Sequence, residues 1–278
     1  MIIWLASYPK SGNTWVRLFI DALLNNKNNK IDINNINIRQ FPLRSDFKGL
    51  DINIDNVQDF VSNCIISQEK LNLDNSIKFF KTHNAFWKSG NHAFTNVQNT
   101  KGVIHIVRDP RNIITSVKNH FDKENYEEAL NFMKNEKQSL GVKTRKDITD
   151  LPTVVSSWSN HYNSWKKMNK NYLLIKYEKL LNNTNDEFYK IINYLKEILN
   201  LSFDEKAILK AIESCNFEKL KEQENKNGFR EAAEDSNGAV KKFFFLGPQN
   251  NWKNLLDKST VQNIENIFRN EMIDLGYL

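Results

Sequence analysis

Four short apolar runs, separated by segments of helical periodicity, most constrain how this 278-residue chain can fold. Each run has the length of one buried strand, and apolar residues between the runs recur at the spacing of a helix face. Buried strands that alternate with helices predict an α/β fold, with a central parallel sheet and helices on both faces. The predicted strands are Ile2–Ala6, Ile77–Phe80, Val103–Val107 and Tyr172–Ile175.

The same spacing predicts helices between and after the strands, over Asn13–Leu24, Val57–Lys70, Asn112–Phe121, Leu151–Met168, 185–199, 204–213 and 259–274. The sequence has neither an internal repeat nor a low-complexity linker. We therefore expect a single three-layer domain over residues 1–278. Three polar stretches, 30–55, 122–150 and 222–250, are harder to assign.

Composition narrows the classes of function. The sequence has no apolar run near the ~18 residues that a membrane span needs, and its start lacks the pattern of a signal peptide. We therefore expect a cytoplasmic protein without a membrane span. Cys64 and Cys215 are too few for a disulfide scaffold or a cysteine zinc site. The net charge of +6 comes from scattered lysines without a dense run, so we assign most of it to a solvated surface and expect no nucleic-acid partner. Function must then depend on particular cations at particular places.

The first strand leads into a loop suited to anions. Lys10, Ser11 and Gly12 stand between the strand and the predicted helix. Free backbone N–H groups and the helix dipole favour negative charge at such a position, and Lys10 adds a cation. The loop is not a Walker A motif, in which the lysine follows the second glycine. An ordinary turn with a surface lysine is the alternative.

Polar side chains also follow the other three strands. Lys81 and His83 follow the second, and histidine is the natural general base near neutral pH. Arg108 follows the third, with Ser116 eight residues later, and arginine forks onto phosphate oxygens. Tyr177 follows the fourth. Ligands of open α/β sheets bind at the carboxyl ends of the strands, so we expect these residues to share one site. Taken singly, each also fits a packed or surface residue.

This order of motifs resembles the cytosolic-type sulfotransferases, including bacterial sulfotransferase-domain proteins, which use 3′-phosphoadenosine-5′-phosphosulfate (PAPS). The opening YPKSGNTW is similar to that family's 5′-phosphosulfate loop, YPKSGTTW. KTH at 81–83 resembles its lysine and catalytic histidine, and RDPRNIITS at 108–116 resembles its 3′-phosphate motif. KYEKLL at 176–181 matches its tyrosine-glutamate segment. The resemblance spans nearly the whole chain and implies the P-loop-NTPase-like sulfotransferase fold.

The resemblance implies a role for each matching residue. Lys10 would stabilise the leaving phosphate, Lys81 would steady the sulfuryl group, and His83 would take the proton from the acceptor. PAPS would be the co-substrate and 3′-phosphoadenosine-5′-phosphate (PAP) the product, with no metal. The residues expected to bind the nucleotide are Lys10, Ser11, Gly12, Asn13, Thr14, Trp15, Arg108, Ser116, Tyr177, Phe217 and Gly247.

One departure from the family pattern concerns charge. The family's Arg-Lys-Gly segment is Phe245-Leu246-Gly247 here, so the glycine remains and both cations are lost. We expect a cation of the 222–250 segment to compensate. Arg230 is favoured over Lys241 and Lys242, because arginine can fork onto phosphate.

The predicted reaction is transfer of the sulfuryl group of PAPS to a hydroxyl group (or amine) of a small-molecule or saccharide acceptor. Segments 30–55 and 122–150 would be acceptor-side insertions, and 222–250 would cover the nucleotide. Two alternatives stay open: a P-loop-like nucleotide kinase, which would need a Walker lysine and Mg²⁺ ligands, and a non-catalytic nucleotide binder. The resemblance implies a homodimer, but the family's dimerisation segment has three extra residues between Lys253 and Thr260, so the family's mode of dimerisation is not expected to carry over unchanged.

Overall fold

A five-stranded parallel sheet forms the centre of the molecule in the computed structural model, which describes residues 1–25, 31–141, 151–235 and 237–278. The strands are β1 (Ile2–Ser7), β2 (Arg39–Gln40), β3 (Lys78–Thr82), β4 (Lys88–Ser89), β5 (His92–Ala93), β6 (Thr100–Val107), β7 (Ser139–Leu140), β8 (Thr153–Val154) and β9 (Tyr172–Lys176). Their order across the sheet is β2-β3-β1-β6-β9, and β4–β5 and β7–β8 form two small antiparallel pairs. The four predicted strands are confirmed as β1, β3, β6 and β9.

Helices cover the sheet: α1 (Asn13–Leu24), α2 (Val57–Asn72), α3 (Pro110–His120), α4 (Tyr126–Lys134), α5 (Trp158–Lys166), α6 (Tyr177–Asn182), α7 (Thr184–Leu199), α8 (Glu205–Ser214), α9 (Phe217–Asn227), α10 (Trp252–Leu255), α11 (Lys258–Ile267) and α12 (Arg269–Asp274). Short 3₁₀ turns lie at Arg44–Phe47 and Gly247–Gln249. Of the helices that the structure describes, none is long and apolar enough to cross a bilayer.

Both faces of the sheet are buried. Ile3 and Leu5 of β1 pack into a core with residues of α1, α7 and α8, whereas Trp4 packs on the opposite face against Trp165 of α5. Every residue of β1 is buried. This burial explains why the strand has a continuous apolar sequence rather than an alternating one. The predicted three-layer α/β architecture is confirmed.

Two helix predictions are wrong in extent. The predicted helix Leu151–Met168 begins only at Trp158, because the side chain of Ser157 caps it and accepts a hydrogen bond from the backbone N–H of Asn160. The preceding residues Thr153–Val154 pair with β7 instead. The predicted helix 259–274 is divided into α11 and α12 at Phe268, which buries its ring against Trp158.

The edge strand β2 was not predicted, and a buried carboxylate holds the chain leading to it. Asp21 of α1 accepts hydrogen bonds from the backbone N–H groups of Asn37 and Ile38, at 3.0 and 3.2 Å. It also accepts from the side chains of Asn25 and Asn37. Because β2 begins just after Ile38, Asp21 fixes where this edge of the sheet lies.

Replacing Asp21 with alanine is expected to lower the free energy of unfolding by about 2–4 kcal/mol, because it leaves the buried N–H of Ile38 and three part-buried donors without their acceptor. Urea denaturation measures the effect. Asp32→Ala is the matched control, since this exposed carboxylate accepts one local hydrogen bond from the backbone of Asn34. Equal midpoints for the two variants would contradict the anchoring role of Asp21.

Candidate functional site

The carboxyl ends of four strands meet at one cavity of about 500 Å³. Lys10 follows β1, and Lys81 is the next-to-last residue of β3. Arg108 follows β6, and Tyr177 follows β9. All four line the cavity. The complete set of sequence-predicted residues in its lining is Lys10, Gly12, Asn13, Thr14, Trp15, Lys81, His83, Arg108, Ser116, Tyr177, Phe217 and Gly247.

Two predicted residues lie outside this lining. Ser11 is fully buried beneath the loop, and its hydroxyl has no partner among the described residues. Arg230 is exposed, and its backbone N–H donates to the side chain of Asn34, so the structure does not bring it to the cavity. The neighbouring Glu231 lines the cavity instead, because ion pairs with Arg17 and Lys81 draw its carboxylate inward.

The other two candidate cations have partners elsewhere. Lys241 donates to the backbone carbonyl of Asn119, at 2.8 Å, and pairs with Asp122. Lys242 donates to the side chain of Asn225. In the described part of the chain, the cations that line the cavity are therefore Lys10, Lys81 and Arg108.

The loop after β1 is shaped by left-handed backbone. Gly12 caps α1 with φ +99°, and a Cβ there would lie 2.5 Å from Cδ2 of Tyr177, so only glycine fits. Lys10 also has a positive φ, +68°. No side chain caps the start of α1. Its first N–H groups can therefore bind an anion.

Asn13 attaches this loop to β1. Its side-chain amide donates to the carbonyl of Leu5, at 2.8 Å, and to the hydroxyl of Ser7, at 3.2 Å. The asparagine that replaces the family's threonine therefore has a structural task, fixing the first turn of α1 against the strand.

His83 is held in one tautomer. Its Nδ1 lies 2.8 Å from the carbonyl oxygen of Ser7, and a carbonyl only accepts, so the proton is on Nδ1. Nε2 then carries the lone pair, in a ring that lines the cavity. Burial, and next the charge of Lys81, hold the pKa of His83 well below its usual value. The ring is therefore neutral at pH 7 and able to accept a proton.

Three crowded cations make the cavity attractive to anions. Burial, and then repulsion by Lys81 and Arg108, lower the pKa of Lys10 to about 7. Its ammonium lies 4.2 Å from the ring centre of Phe243. Burial also lowers the pKa of Lys81, while Glu231 opposes that shift. An anion bound among these groups would relieve their mutual repulsion.

Arg108 is held in place by a backbone carbonyl and an aromatic ring. Its Nη1 donates to the carbonyl of Lys10, at 3.1 Å, and its guanidinium lies 4.1 Å from the ring centre of Tyr177. Its Nε is buried and has no partner among the described residues. Ser116, two turns into α3, accepts a hydrogen bond from the side-chain amide of Asn250, at 3.1 Å.

Aromatic rings form another wall of the cavity. Trp15 and Tyr177 meet edge to face, with ring centres 6.0 Å apart. Phe217 packs so closely on Gly247 that a Cβ there would lie 2.2 Å from its Cζ. Gly247 also has φ +51°, so both space and backbone require glycine. Flat apolar surfaces of this kind suit a planar ring.

Sequence reasoning missed several residues of the lining, among them His120, Glu231, Phe243 and Asn250. His120 follows Ser116 by one helical turn and therefore lies on the same face of α3, a signal that the spacing contained. Burial, and then the charges of Lys10 and Lys81, lower the pKa of His120 to about 3. The other three lie in a polar segment whose path depends on tertiary contacts. Among the described residues, no group of three or more His, Cys, Asp or Glu side chains could hold a metal ion.

Comparison with known proteins gives one consistent result. The family model of the sulfotransferase domain matches residues 2–276. Sulfotransferase 1 family member D1 of mouse is 23% identical, over 98% of this chain and 83% of that protein. Sulfotransferase 1B1 of dog is 24% identical, over 97% of this chain and 83% of that protein.

Two solved structures share the fold. Mouse sulfotransferase SULT7A1, complexed with PAP, has a TM-score of 0.58 and 18% identity, covering 98% of this chain and 84% of that one. Retinol dehydratase, in complex with androsterone and inactive cofactor PAP, has a TM-score of 0.61 and 17% identity, covering 98% and 80%.

The lowered pKa of Lys10 gives a direct test of the close approach of Lys10, Lys81 and Arg108. An NMR titration of methylated lysines is expected to show the Lys10 signal with a midpoint near 7, and Lys10→Met identifies that signal by removing it. Lys81→Met should raise the midpoint, because it removes the nearest repelling charge. A Lys10 midpoint near 10.5, unchanged in Lys81→Met, would contradict the crowded cluster.

Proposed function

Because the chain belongs to the sulfotransferase domain family, we propose that it transfers the sulfuryl group of PAPS to a hydroxyl group (or amine) of a small-molecule or saccharide acceptor. One observation carries the proposal: a neutral His83, whose Nε2 has no hydrogen-bond partner among the described residues, lies in the same cavity as Lys10, Lys81 and Arg108. The two structural relatives named above are complexed with PAP, which supports the choice of nucleotide.

The residues of the cavity fit the anionic groups of PAPS. The uncapped start of α1 and Lys10 would hold the 5′-phosphosulfate, since backbone N–H groups and the helix dipole favour anions there. The unpartnered Nε of Arg108, with Ser116, would bind the 3′-phosphate. Trp15, Tyr177 and Phe217 would pack against the adenine.

The lining compensates only partly for the two lost family cations. Asn250 is buried near Ser116 and adds a neutral amide, not a charge. Arg108 would therefore supply the full positive charge opposite the 3′-phosphate. We infer that binding of the 3′-phosphate depends strongly on Arg108.

The chemical step needs a base and fixed positive charge. Nε2 of His83 would take the acceptor's proton as the acceptor oxygen bonds to sulfur, and the bond from sulfur to the 5′-phosphate oxygen would break. The electron pair of that bond remains on the phosphate, where Lys10 would stabilise it. Lys81 would neutralise charge on the sulfuryl oxygens. Positioning and preorganised charge supply most of the rate in such group transfers.

The acceptor would enter beside His83. The walls of the cavity combine neutral polar groups with apolar and aromatic ones, among them Gln40, His120, Phe121 and Leu140. Gln40 comes from segment 30–55 and Leu140 from segment 122–150, which supports their proposed acceptor-side role; residues 142–150 lie outside the described chain.

Segment 222–250 contributes several residues to the wall of the cavity, namely Glu231, Phe243–Gly247 and Asn250. This position supports its proposed role in covering the nucleotide. The cytoplasmic location, the homodimer and the absence of nucleic-acid partners stay predictions.

A thermal-shift panel tests the proposed co-substrate. PAP is expected to raise the melting temperature without Mg²⁺, because a ligand that binds only the folded state stabilises it by mass action. Stabilisation by ATP with Mg²⁺, and none by PAP, would favour the kinase alternative. PAP binding without sulfuryl transfer to any of a panel of phenols, alcohols and amines would favour the non-catalytic binder.

His83→Ala is expected to lower sulfuryl transfer by roughly 10²–10⁴-fold, the usual contribution of a general base, while PAP binding stays near that of the parent. Transfer of labelled sulfuryl groups and calorimetry measure the two quantities. His92→Ala, which removes a ring that contacts Ser62 outside the cavity, is the control. Retention of more than about a tenth of the activity by His83→Ala would exclude the base role.

A further inference from the structure

A carboxylate is bound to the lysine that should hold the sulfuryl group. Glu231 accepts a hydrogen bond from Arg17 Nη2 through Oε1, at 2.6 Å, and from Lys81 Nζ through Oε2, at 3.2 Å. Of the described residues that line the cavity, Glu231 alone is acidic. Burial raises the pKa of Glu231, but Lys81 and Arg17 outweigh it and lower the pKa to about 2. The carboxylate is therefore charged at every physiological pH.

Glu231 bridges Arg17 and Lys81, and the Arg17 side chain still has an unused donor among the described residues. The Arg17 side chain is only 2% exposed, and its Nε has no partner among the described residues. In a guanidinium group, Nε–H and one N–H of Nη2 lie side by side and can bind both oxygens of one carboxylate. Glu231 accepts from Nη2 alone, so a rotation of its carboxylate that brings Oε2 to Nε would complete the fork on Arg17.

The Lys81 end is where competition must occur. A sulfuryl group on Lys81 brings negative oxygens to the place where Oε2 of Glu231 now lies, and two anions there would repel each other. The side chain of Glu231 is 32% exposed, whereas that of Lys81 is 11% exposed. The glutamate is therefore the partner with room to move.

We propose that Glu231 is a positioning residue that holds Lys81 in the absence of co-substrate. When the sulfuryl group binds, Oε2 of Glu231 leaves Lys81 and accepts a hydrogen bond from Arg17 Nε instead. This inference rests on the proposed function, since it concerns the sulfuryl position of that same site. Until PAPS binds, Glu231 keeps Lys81 charged and in place. After transfer, its return to Lys81 opposes rebinding of a sulfated product.

PAP distinguishes this exchange from a general change in the site, because it lacks the sulfuryl group. Calorimetry without acceptor gives the dissociation constants of PAPS and PAP. In Glu231→Gln, PAPS is expected to bind roughly five- to tenfold more tightly than in the parent, since a charged competitor for Lys81 becomes neutral. PAP binding should be unchanged. Glu222→Gln, an exposed change of equal charge in the same segment, should alter neither.

A second variant should act in the opposite direction. Arg17→Lys keeps the positive charge but cannot form the fork, because an ammonium group is a point donor. Glu231 should then stay on Lys81, and PAPS should bind several-fold more weakly than in the parent, with PAP again unaffected. A general loss of folding would weaken the binding of both nucleotides. It cannot lower the dissociation constant of PAPS in one variant and raise it in the other while that of PAP stays constant.

Glu231→Asp covers the case in which Glu231→Gln does not fold. Its shorter carboxylate keeps a charge for Arg17 but reaches less far toward Lys81, so PAPS should again bind more tightly. If the parent binds both nucleotides and the ratio of their dissociation constants is the same in all variants, the exchange is wrong while the proposed function stands. If the parent binds neither nucleotide, the proposed function is wrong and the exchange with it.

Discussion

Repulsion among three crowded cations is the interaction on which the electrostatics of the cavity depend. The parallel sheet brings the ends of β1, β3 and β6 to one edge, and Lys10, Lys81 and Arg108 come with them. Burial removes much of the water that would screen these charges, so Lys81 and Arg108 disfavour the charged state of Lys10. Burial is the larger cause of the fall in the pKa of Lys10 to about 7, and repulsion by Lys81 and Arg108 adds to it.

The balancing groups come from outside the sheet. Glu231 offsets Lys81, the ring of Phe243 lies against Lys10, and Tyr177 lies against Arg108. Two of these three partners belong to segment 222–250, so this segment contributes both to the wall of the cavity and to its electrostatics. A bound polyanion would supply the charge that the protein lacks, and the same cations would then stabilise the transition state without reorganising.

The sequence was most informative where structure is local. The buried strands, the glycine loop before α1 and the polar residue after each strand end depend on short stretches, and topology alone brings these ends together. Phe217 and Gly247 were predicted from the family resemblance rather than from spacing. Three features could not be predicted in this way. Strand β2 depends on hydrogen bonds to Asp21, and the start of α5 depends on its cap at Ser157.

The position of Arg230 was the third, and it shows the limit of reasoning from charge alone. Arg230 was expected to replace the family's Arg-Lys pair, which this chain lacks. The structure instead places Arg230 on the surface and the side chain of Glu231 in the wall of the cavity. Arg17 decides this, because it is buried in α1 and needs an anionic partner that only tertiary contact supplies. Nothing in the local sequence around either residue reveals that pairing.

The central claim is that cations at the strand ends bind the phosphates of a nucleotide. The dissociation constants of PAP and adenosine 5′-phosphate, measured by calorimetry, test it most directly, because the two differ only in the 3′-phosphate. The parent should prefer PAP at least tenfold, as expected for a charge-assisted hydrogen bond to the 3′-phosphate. Arg108→Gln should lose most of that preference while binding adenosine 5′-phosphate nearly as before. Arg44→Gln, which alters an ion pair with Asp55 outside the cavity, should keep it. An undiminished preference for PAP in Arg108→Gln would contradict the account.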